Sequence, residues 1–215
     1  MTDLLELTGV VLSSMPVGEY DRRVVLLTKE RGRITAFAKG ARRPNSSLLA
    51  VSCPFVCGTF FLYEGRNSYT LRSAEVIAYF NQLQQDLETL CYASYFTELA
   101  DYYAKENLTA ADMLNLLYLA FRALEKGQIP RVLVRHVFEL RMMVIDGEYT
   151  EQPPVEVGES AAYAWYYVIT SPLQKVFHFT LAEPALKEFA RAVTVWRRRT
   201  IDREFHSLEI LETLL

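Results

Sequence analysis

Between Arg22 and Arg43 stand eight basic residues, Arg22, Arg23, Lys29, Arg31, Arg33, Lys39, Arg42 and Arg43, against a single interior acid, Glu30. A one-signed cluster of this density attracts polyanions, and phosphates are the anions that arginine and lysine hold best. Alternation along Arg33 to Lys39 puts Arg33, Thr35, Phe37 and Lys39 on one face of a strand and Ile34, Ala36 and Ala38 on the other. The second face suits a crowded interior. The first mixes cations with an aromatic ring, the combination that holds single-stranded nucleic acid: phosphates pair with cations while bases stack on the ring. Gly40-Ala41-Arg42-Arg43 carries the charge into the following loop, and Arg66 sits in a later turn. The competing reading is a solvated face whose cations keep an edge strand from pairing with other chains, with Phe37 packed under a loop.

Other chemistry finds little material. Cys53 and Cys57 would make half of a metal site, but a closed zinc site takes four ligands and no second cysteine pair exists; Cys91, His136, His178 and His206 are scattered, and buried thiols are the default reading. No metal and no cofactor are expected. The chain contains no G-x-x-x-x-G-K-[ST] loop, G-x-S-x-G elbow or H-E-x-x-H, so no motif points to catalysis and the protein is read as a non-enzyme. Trp196-Arg197-Arg198-Arg199 is a second basic cluster, read first as cations complementing the end of a helix and second as a DNA contact.

The elements that position these residues change character near residue 79. Before it, short segments of period 2 alternate with Gly- and Pro-containing turns; after it, long segments of period near 3.6 follow. Charge changes at the same place, from +3 over residues 1–79 to −6 over residues 80–215. Five strands are expected, Leu4–Leu12, Arg22–Thr28, Arg33–Lys39, Val51–Tyr63 and Ser68 to about Ala74, with tight turns at Lys29–Gly32 and Glu64–Asn67. Five antiparallel strands with a longer connection, Gly40–Ala50, after the third match the OB-fold, a partly open barrel that binds oligonucleotides on its strand two and three face.

Residues 80–215 are expected to form a helical domain, making the fold α+β. Helices are predicted at Leu83–Ala104, at Met113–Leu124 behind a Thr109/Asp112 cap, at Val132–Ile145, from Thr180 to about Arg198, and at Ser207–Leu215. Val132–Ile145 is apolar on nearly every face and should be the central helix. An irregular or extended insertion is expected near residues 148–180, with Ala161–Ile169 and Val176–Phe179 as short extended pieces.

The composition fits this reading. With 215 residues, 51% apolar and 23% charged, the chain has material for packed cores and no signature of disorder. A formal charge of −3 restricts any polyanion site to a local patch. Three widely spaced cysteines suit a reducing compartment, and no targeting signal or membrane segment is evident, so a cytoplasmic location without membrane contact is expected.

The sequence resembles the RecO family of bacterial recombination and repair mediators. The resemblance runs through Gly9–Leu12, Gly18–Arg22, Leu26–Thr28, Ala38–Arg43, Pro54-Phe55, Gly65-Arg66, Leu71–Glu75, Tyr92–Tyr95, Phe138–Arg141 and Ser207–Glu209. Ala-Lys-Gly-Ala-Arg-Arg, at the end of strand three, is its most specific part. It implies an N-terminal OB-fold followed by a helical domain, and ATP-independent annealing of single-stranded DNA, with duplex binding left open. The implied partners are RecR and the acidic tail of single-stranded DNA-binding protein, with RecA loaded indirectly and the protein at the nucleoid during repair.

Lys39, Arg42 and Arg43 carry over from that match as DNA contacts; Arg22, Arg23, Arg33, Phe37 and Arg66 are added from face and loop position. For the acidic tail, Arg131 and Arg135, one turn apart among Val132, Leu133, Val134, Val137 and Phe138, are the candidate cations, against the reading that their stems simply cover an exposed edge of the bundle. Two other functions remain open: a protein-interaction scaffold and an RNA-binding OB protein. One departure stands out. Many similar proteins carry a four-cysteine zinc element after the Phe-Glu-Leu helix, whereas Gly147–Thr180 contains no cysteine. That segment must be held by its own packing, to which Tyr163, Trp165, Tyr166, Tyr167 and Phe177 are expected to contribute.

Overall fold

The computed structural model describes residues 4–66 and 68–214. Five strands, β1 (Leu4–Val17), β2 (Asp21–Thr28), β3 (Gly32–Ala38), β4 (Cys57–Glu64) and β5 (Tyr69–Ala78), close into a barrel in the order β1-β2-β3-β5-β4. All pairings are antiparallel except β3 with β5. This is the expected OB-type barrel. Its interior is set by alternation: Leu7, Val11, Val24, Leu26, Ile34, Ala36, Phe60, Leu62 and Leu71 form the core. The small Ala36 and Ala38 leave room for Phe60 and Tyr69 in a narrow interior.

The fourth strand is shorter than expected. Val51 ends a four-residue helix, α1 (Leu48–Val51), and Phe55 adopts a positive φ of 70°, so pairing begins only at Cys57. Leu48 and Val51 join the barrel core. The apolar run Val51–Phe61 therefore reflects burial by a turn of helix followed by a strand, two structures that bury similar residues.

Six longer helices follow among the described residues: α2 (Leu87–Tyr103), α3 (Ala111–Lys126), α4 (Arg131–Asp146), α5 (Glu159–Thr170), α6 (Glu183–Thr200) and α7 (His206–Leu214). None is long and apolar enough to cross a membrane. As expected, α4 is central, with every residue from Leu133 to Leu140 buried. Two expected caps are absent. The Thr109 hydroxyl donates to the Lys29 carbonyl instead of capping α3, and α6 begins after Ala182 with no side-chain cap, although Pro184 lies in its first turn.

The largest departure is at Ala161–Ile169, which is helix rather than extended chain. Ala161, Ala164, Trp165 and Val168 are its buried set, a helical spacing. Tyrosines between them hide that period in the sequence. Trp165 and Phe177 are buried as expected, but Tyr163 and Tyr166 are exposed. Val176–Phe179 is a turn following a short 3-10 segment.

The chain forms two compact units. One comprises the residues up to Gln82 together with Ala100–Leu114; the other comprises Leu83–Leu99 and the residues from Asn115 onward. Sequence periodicity places the cut at 79 and assigns everything after it to the helical part. The return of Ala100–Leu114 to the barrel unit has a hydrogen-bonding cause at the β2–β3 turn. There the amides of Arg33, Asn107 and Ala110 donate to the carbonyls of Lys105, Arg31 and Lys29. Gly32 lies between them with φ 63°, and a Cβ added to it would sit 2.1 Å from the Lys105 carbonyl oxygen. Only glycine fits both constraints.

Candidate nucleic-acid interface

Although contiguous in sequence, the basic stretch is divided in space. β2 and β3 pair antiparallel, Arg22 opposite Ala38 and Thr28 opposite Gly32, so the two ends of the hairpin lie about 20 Å apart. Lys29, Arg31 and Arg33 belong to one end. Arg22, Arg23, Lys39, Arg42 and Arg43 belong to the other.

At the first end the cations are largely occupied. Arg33 Nε donates to Asp101 Oδ1 at 2.6 Å, and both groups are only about one-third exposed. Arg31 is 3.6 Å from Glu64, and Glu30 accepts the Thr8 amide at 3.0 Å. Arg33 thus shares the outward face of β3 with Phe37, as the alternation predicts, but its charge is matched within the barrel unit and it is set apart from the other candidates. Arg22 is likewise engaged. Its guanidinium donates to the Leu49 carbonyl at 3.1 Å and to Ser52 Oγ at 3.2 Å, and lies 3.3 Å from Cys53 Sγ. It pins the connection between β3 and β4.

The remaining cations are presented outward. Gly40, with φ 68°, donates its amide to Asp21 Oδ1 at 2.7 Å, which turns the chain sharply after β3. Arg42 follows, its amide donating to the Tyr20 carbonyl at 2.8 Å and its guanidinium to the Gly18 carbonyl at 3.2 Å. The Arg43 guanidinium lies 5.0 Å from the centre of the Tyr20 ring. The partners of both arginines are uncharged, so their charge is retained at the surface, where both are exposed. Lys39 and Arg23 are exposed and show no ion pair among the described residues. The nearby acids are Glu19, exposed in the β1–β2 turn, and Asp21, whose carboxylate is occupied by Gly40. This end therefore keeps a positive balance.

Strand register joins this end to an outward row around the barrel. Met15 stands opposite Arg23, Arg23 opposite Phe37, Phe37 opposite Thr70, Thr70 opposite Tyr63 and Tyr63 opposite Leu4. From Arg23 to Tyr63 the row spans three strand spacings, about 15 Å. Phe37 is half-buried, leaving part of its ring accessible, while Tyr63 and Met15 are exposed. Arg66 is exposed in the turn after β4. Arg72 is exposed on β5, following the buried Tyr69 and Leu71, where the register shifts against Phe61 and Leu62.

Tyr63 and Arg72 were not among the sequence candidates. Alternation with the inward Phe60 and Leu62 marks Tyr63 as outward, and alternation with Tyr69 and Leu71 does the same for Arg72. The cations expected to hold an acidic tail are placed differently. Arg131 binds Glu88 at 2.7 Å and Asp86 at 3.2 Å. Arg135 is not on an exposed edge: it is 6% exposed, donates to Glu139 Oε1 at 3.0 Å and to Glu212 at 3.2 Å, and lies over the Tyr95 ring.

Glu139, fully buried, also accepts from Tyr95 Oη at 2.7 Å and meets His136 Nδ1 at 2.8 Å. Burial alone would raise its carboxyl, but Arg135, His136 and Arg197 outweigh that and hold it well below the ordinary carboxylate range. Arg197 is buried beside this group, while Arg198 and Arg199 are exposed at the end of α6. Arg135 and Arg197 are matched by Glu139 and Glu212 around this core, leaving Arg135 no free cation for an external carboxylate. Cys57 is buried, which pushes its thiol up to about 11, and among the described residues no three His, Cys, Asp or Glu side chains are grouped to hold a metal.

The family model described as Recombination protein O N terminal matches residues 1–80, and that described as Recombination protein O C terminal matches residues 84–151. Relatives named DNA repair protein RecO extend the likeness. That of Acetivibrio thermocellus is 26% identical over 243 residues, covering 98% of this chain and 97% of its own. That of Alkaliphilus metalliredigens is 34% identical over 169 residues, covering 76% and 67%. That of Bacillus subtilis is 32% identical over 148 residues, covering 69% and 58%.

Proposed function

The chain belongs to the RecO family, and from that premise we propose that it serves DNA repair and recombination as a non-enzymatic mediator that binds single-stranded DNA on the outer face of its barrel. The observation that carries this reading is the row Arg23–Phe37–Thr70–Tyr63, which lines up two rings with an exposed cation. Phosphates are held by Lys39, Arg42 and Arg43, with Arg23, Arg66 and Arg72 along the path, and bases stack on Phe37 and Tyr63. Arg22 and Arg33 act indirectly, by fixing the loop and the strand that present the others.

Annealing follows from the same charges and needs no nucleotide. Two complementary strands repel through their phosphates; strands whose phosphates are partly neutralised approach closely enough for base pairing to take over. RecR and the acidic tail of single-stranded DNA-binding protein are the proposed partners, and delivery of RecA to covered strands is the proposed outcome, in the cytoplasm at the nucleoid. The test is binding of a labelled single strand across a salt series, with RNA of the same sequence as competitor. Affinity falling steeply with salt, and DNA at least matching RNA, supports the reading. Affinity indifferent to salt overturns the phosphate mechanism, and strong preference for RNA overturns the choice of nucleic acid.

A further inference from the structure

The run Gly18–Arg22 is part of the family resemblance, and the DNA reading gives a role to its last residue alone. Two acids stand in it, at the cationic end of the barrel, where a carboxylate repels the phosphates that Lys39, Arg42 and Arg43 are placed to hold. They differ in what they do. Glu19 is exposed, and its side chain makes no hydrogen bond or ion pair among the described residues. Asp21 is half-buried at the start of β2, and its Oδ1 accepts the Gly40 amide at 2.7 Å. It pairs with no cation among the described residues, although Lys39, Arg42 and Arg43 all lie within three positions of Gly40 in the chain.

The bond falls where the chain needs it. The β2–β3 ladder ends at Arg22 opposite Ala38, so the Gly40 amide lies beyond the last paired residue of β3. Asp21 supplies its acceptor, and Gly40 takes the φ of 68° that carries the chain away from β3. The β1–β2 turn holds the next residues as well. Arg42 donates its amide to the Tyr20 carbonyl at 2.8 Å and its guanidinium to the Gly18 carbonyl at 3.2 Å, and the Arg43 guanidinium lies 5.0 Å from the centre of the Tyr20 ring. Of these four contacts, the Asp21 bond is the one with a charged acceptor, and such bonds are the shorter and stronger kind.

We propose that Asp21 is a positioning residue for DNA binding: by holding the Gly40 amide it fixes the loop Lys39–Arg43 in the form that meets phosphates, and the order it imposes outweighs the repulsion from its charge. The inference rests on the DNA reading of the barrel and adds the residue that pre-organises its contacts. A loop already fixed loses little freedom when a strand binds. A loop released from its anchor must be ordered at the moment of binding, and affinity falls by that cost. Charge alone makes the opposite demand, since removing an acid beside phosphates strengthens their binding. The sign of the effect therefore separates the two roles.

The test uses the full chain and a fluorescent single-stranded oligonucleotide, followed by anisotropy, with a melting curve for every variant. Asp21→Ala should weaken binding about five-fold or more, the equivalent of ordering one loop residue. Asp21→Asn, whose amide oxygen accepts the Gly40 amide without the charge, should bind at least as tightly as the wild type. Asp21→Glu keeps the charge and displaces the carboxylate by one carbon–carbon bond; it should bind more weakly than the wild type, and it keeps the test open if the alanine variant does not fold. Glu19→Gln, which removes a charge that anchors nothing, should strengthen binding slightly. In the Lys39→Ala, Arg42→Ala, Arg43→Ala background, Asp21→Ala should have little further effect, because it acts through those cations; a purely structural loss would persist there. Asp21→Ala or Asp21→Glu binding as tightly as the wild type, Asp21→Asn binding as weakly as Asp21→Ala, or an undiminished loss in the triple-alanine background would each overturn the proposal. Wild-type binding indifferent to salt would overturn the DNA reading and this inference with it, whereas salt-dependent wild-type binding beside an unweakened Asp21→Ala variant overturns this inference alone.

Discussion

Replacing Lys39, Arg42 and Arg43 together by alanine should weaken single-strand binding by an amount that the structure allows to be worked out. None of the three is paired with an acid: Arg42 donates to a carbonyl, Arg43 lies over a ring, and Lys39 shows no ion pair among the described residues. All three charges are therefore available to phosphates. On a single strand each neutralised phosphate contributes about 0.7 to the slope of log affinity against log salt, so the slope should fall by about 2. At 0.1 M salt that corresponds to roughly a hundred-fold loss of affinity, and between 50 and 200 mM the wild type should lose about twenty-fold more affinity than the variant.

The fold should tolerate the change. The Arg42 backbone bond to Tyr20 survives substitution, and the lost side-chain contacts are worth about 1–2 kcal/mol together. Fluorescence anisotropy of a labelled oligonucleotide at several salt concentrations, with a melting curve as control, measures both quantities. An unchanged slope in a folded variant would refute the placement of the phosphate path at this end of the barrel. By contrast, Arg33→Ala should leave the slope nearly intact and lower the melting temperature, because its partner is Asp101.

Phe37→Ala and Tyr63→Ala should each cost about 1–3 kcal/mol of single-strand affinity without altering the salt slope, the signature of stacking rather than charge, measurable in the same titration. Gly32→Ala should destabilise the protein by roughly 1–3 kcal/mol or more through its positive φ and the nearby Lys105 carbonyl, read from denaturant unfolding. Glu139→Ala should cost about 3–5 kcal/mol by leaving Arg135 and Arg197 buried without their carboxylate. Because the folded Glu139 titrates below its ordinary value of 4.5, its contribution is present above that pH and is lost as pH falls; stability of the wild type should drop on acidification, and Glu139→Gln should flatten that drop in unfolding curves between pH 5 and 3. Prolonged chelation should leave the melting temperature unchanged.

Local pattern determined much of this protein. Strict alternation in β3 settled which of its side chains turn inward, because a barrel interior admits only one face of each strand. The density of apolar residues in α4 marked it as central, since a helix apolar on nearly every face must be surrounded by others. The Ala38–Arg43 motif fixed both the family resemblance and the exposed cations of the candidate interface. Misreadings arose where residue type is ambiguous. Aromatic and β-branched residues concealed the helix at Glu159–Thr170, and the residues before Cys57 buried themselves in a helical turn as readily as in a strand.

What tertiary structure alone decided is which charges are free. Eight cations in one stretch of sequence look alike, yet Arg33 meets an aspartate 68 residues away and Arg22 meets the Leu49 carbonyl 27 residues away, with Ser52 and Cys53 beside it. Arg135, on a helix face that could equally have been exposed, meets Glu139 and Glu212 in a core. The energy of a charge depends on its distance from its counter-charge and on the water it retains. Neither quantity is local in sequence. The row Arg23–Phe37–Thr70–Tyr63 is likewise assembled from four strands whose register follows from barrel closure, so the rings and cations that make a binding face become neighbours only when the barrel closes.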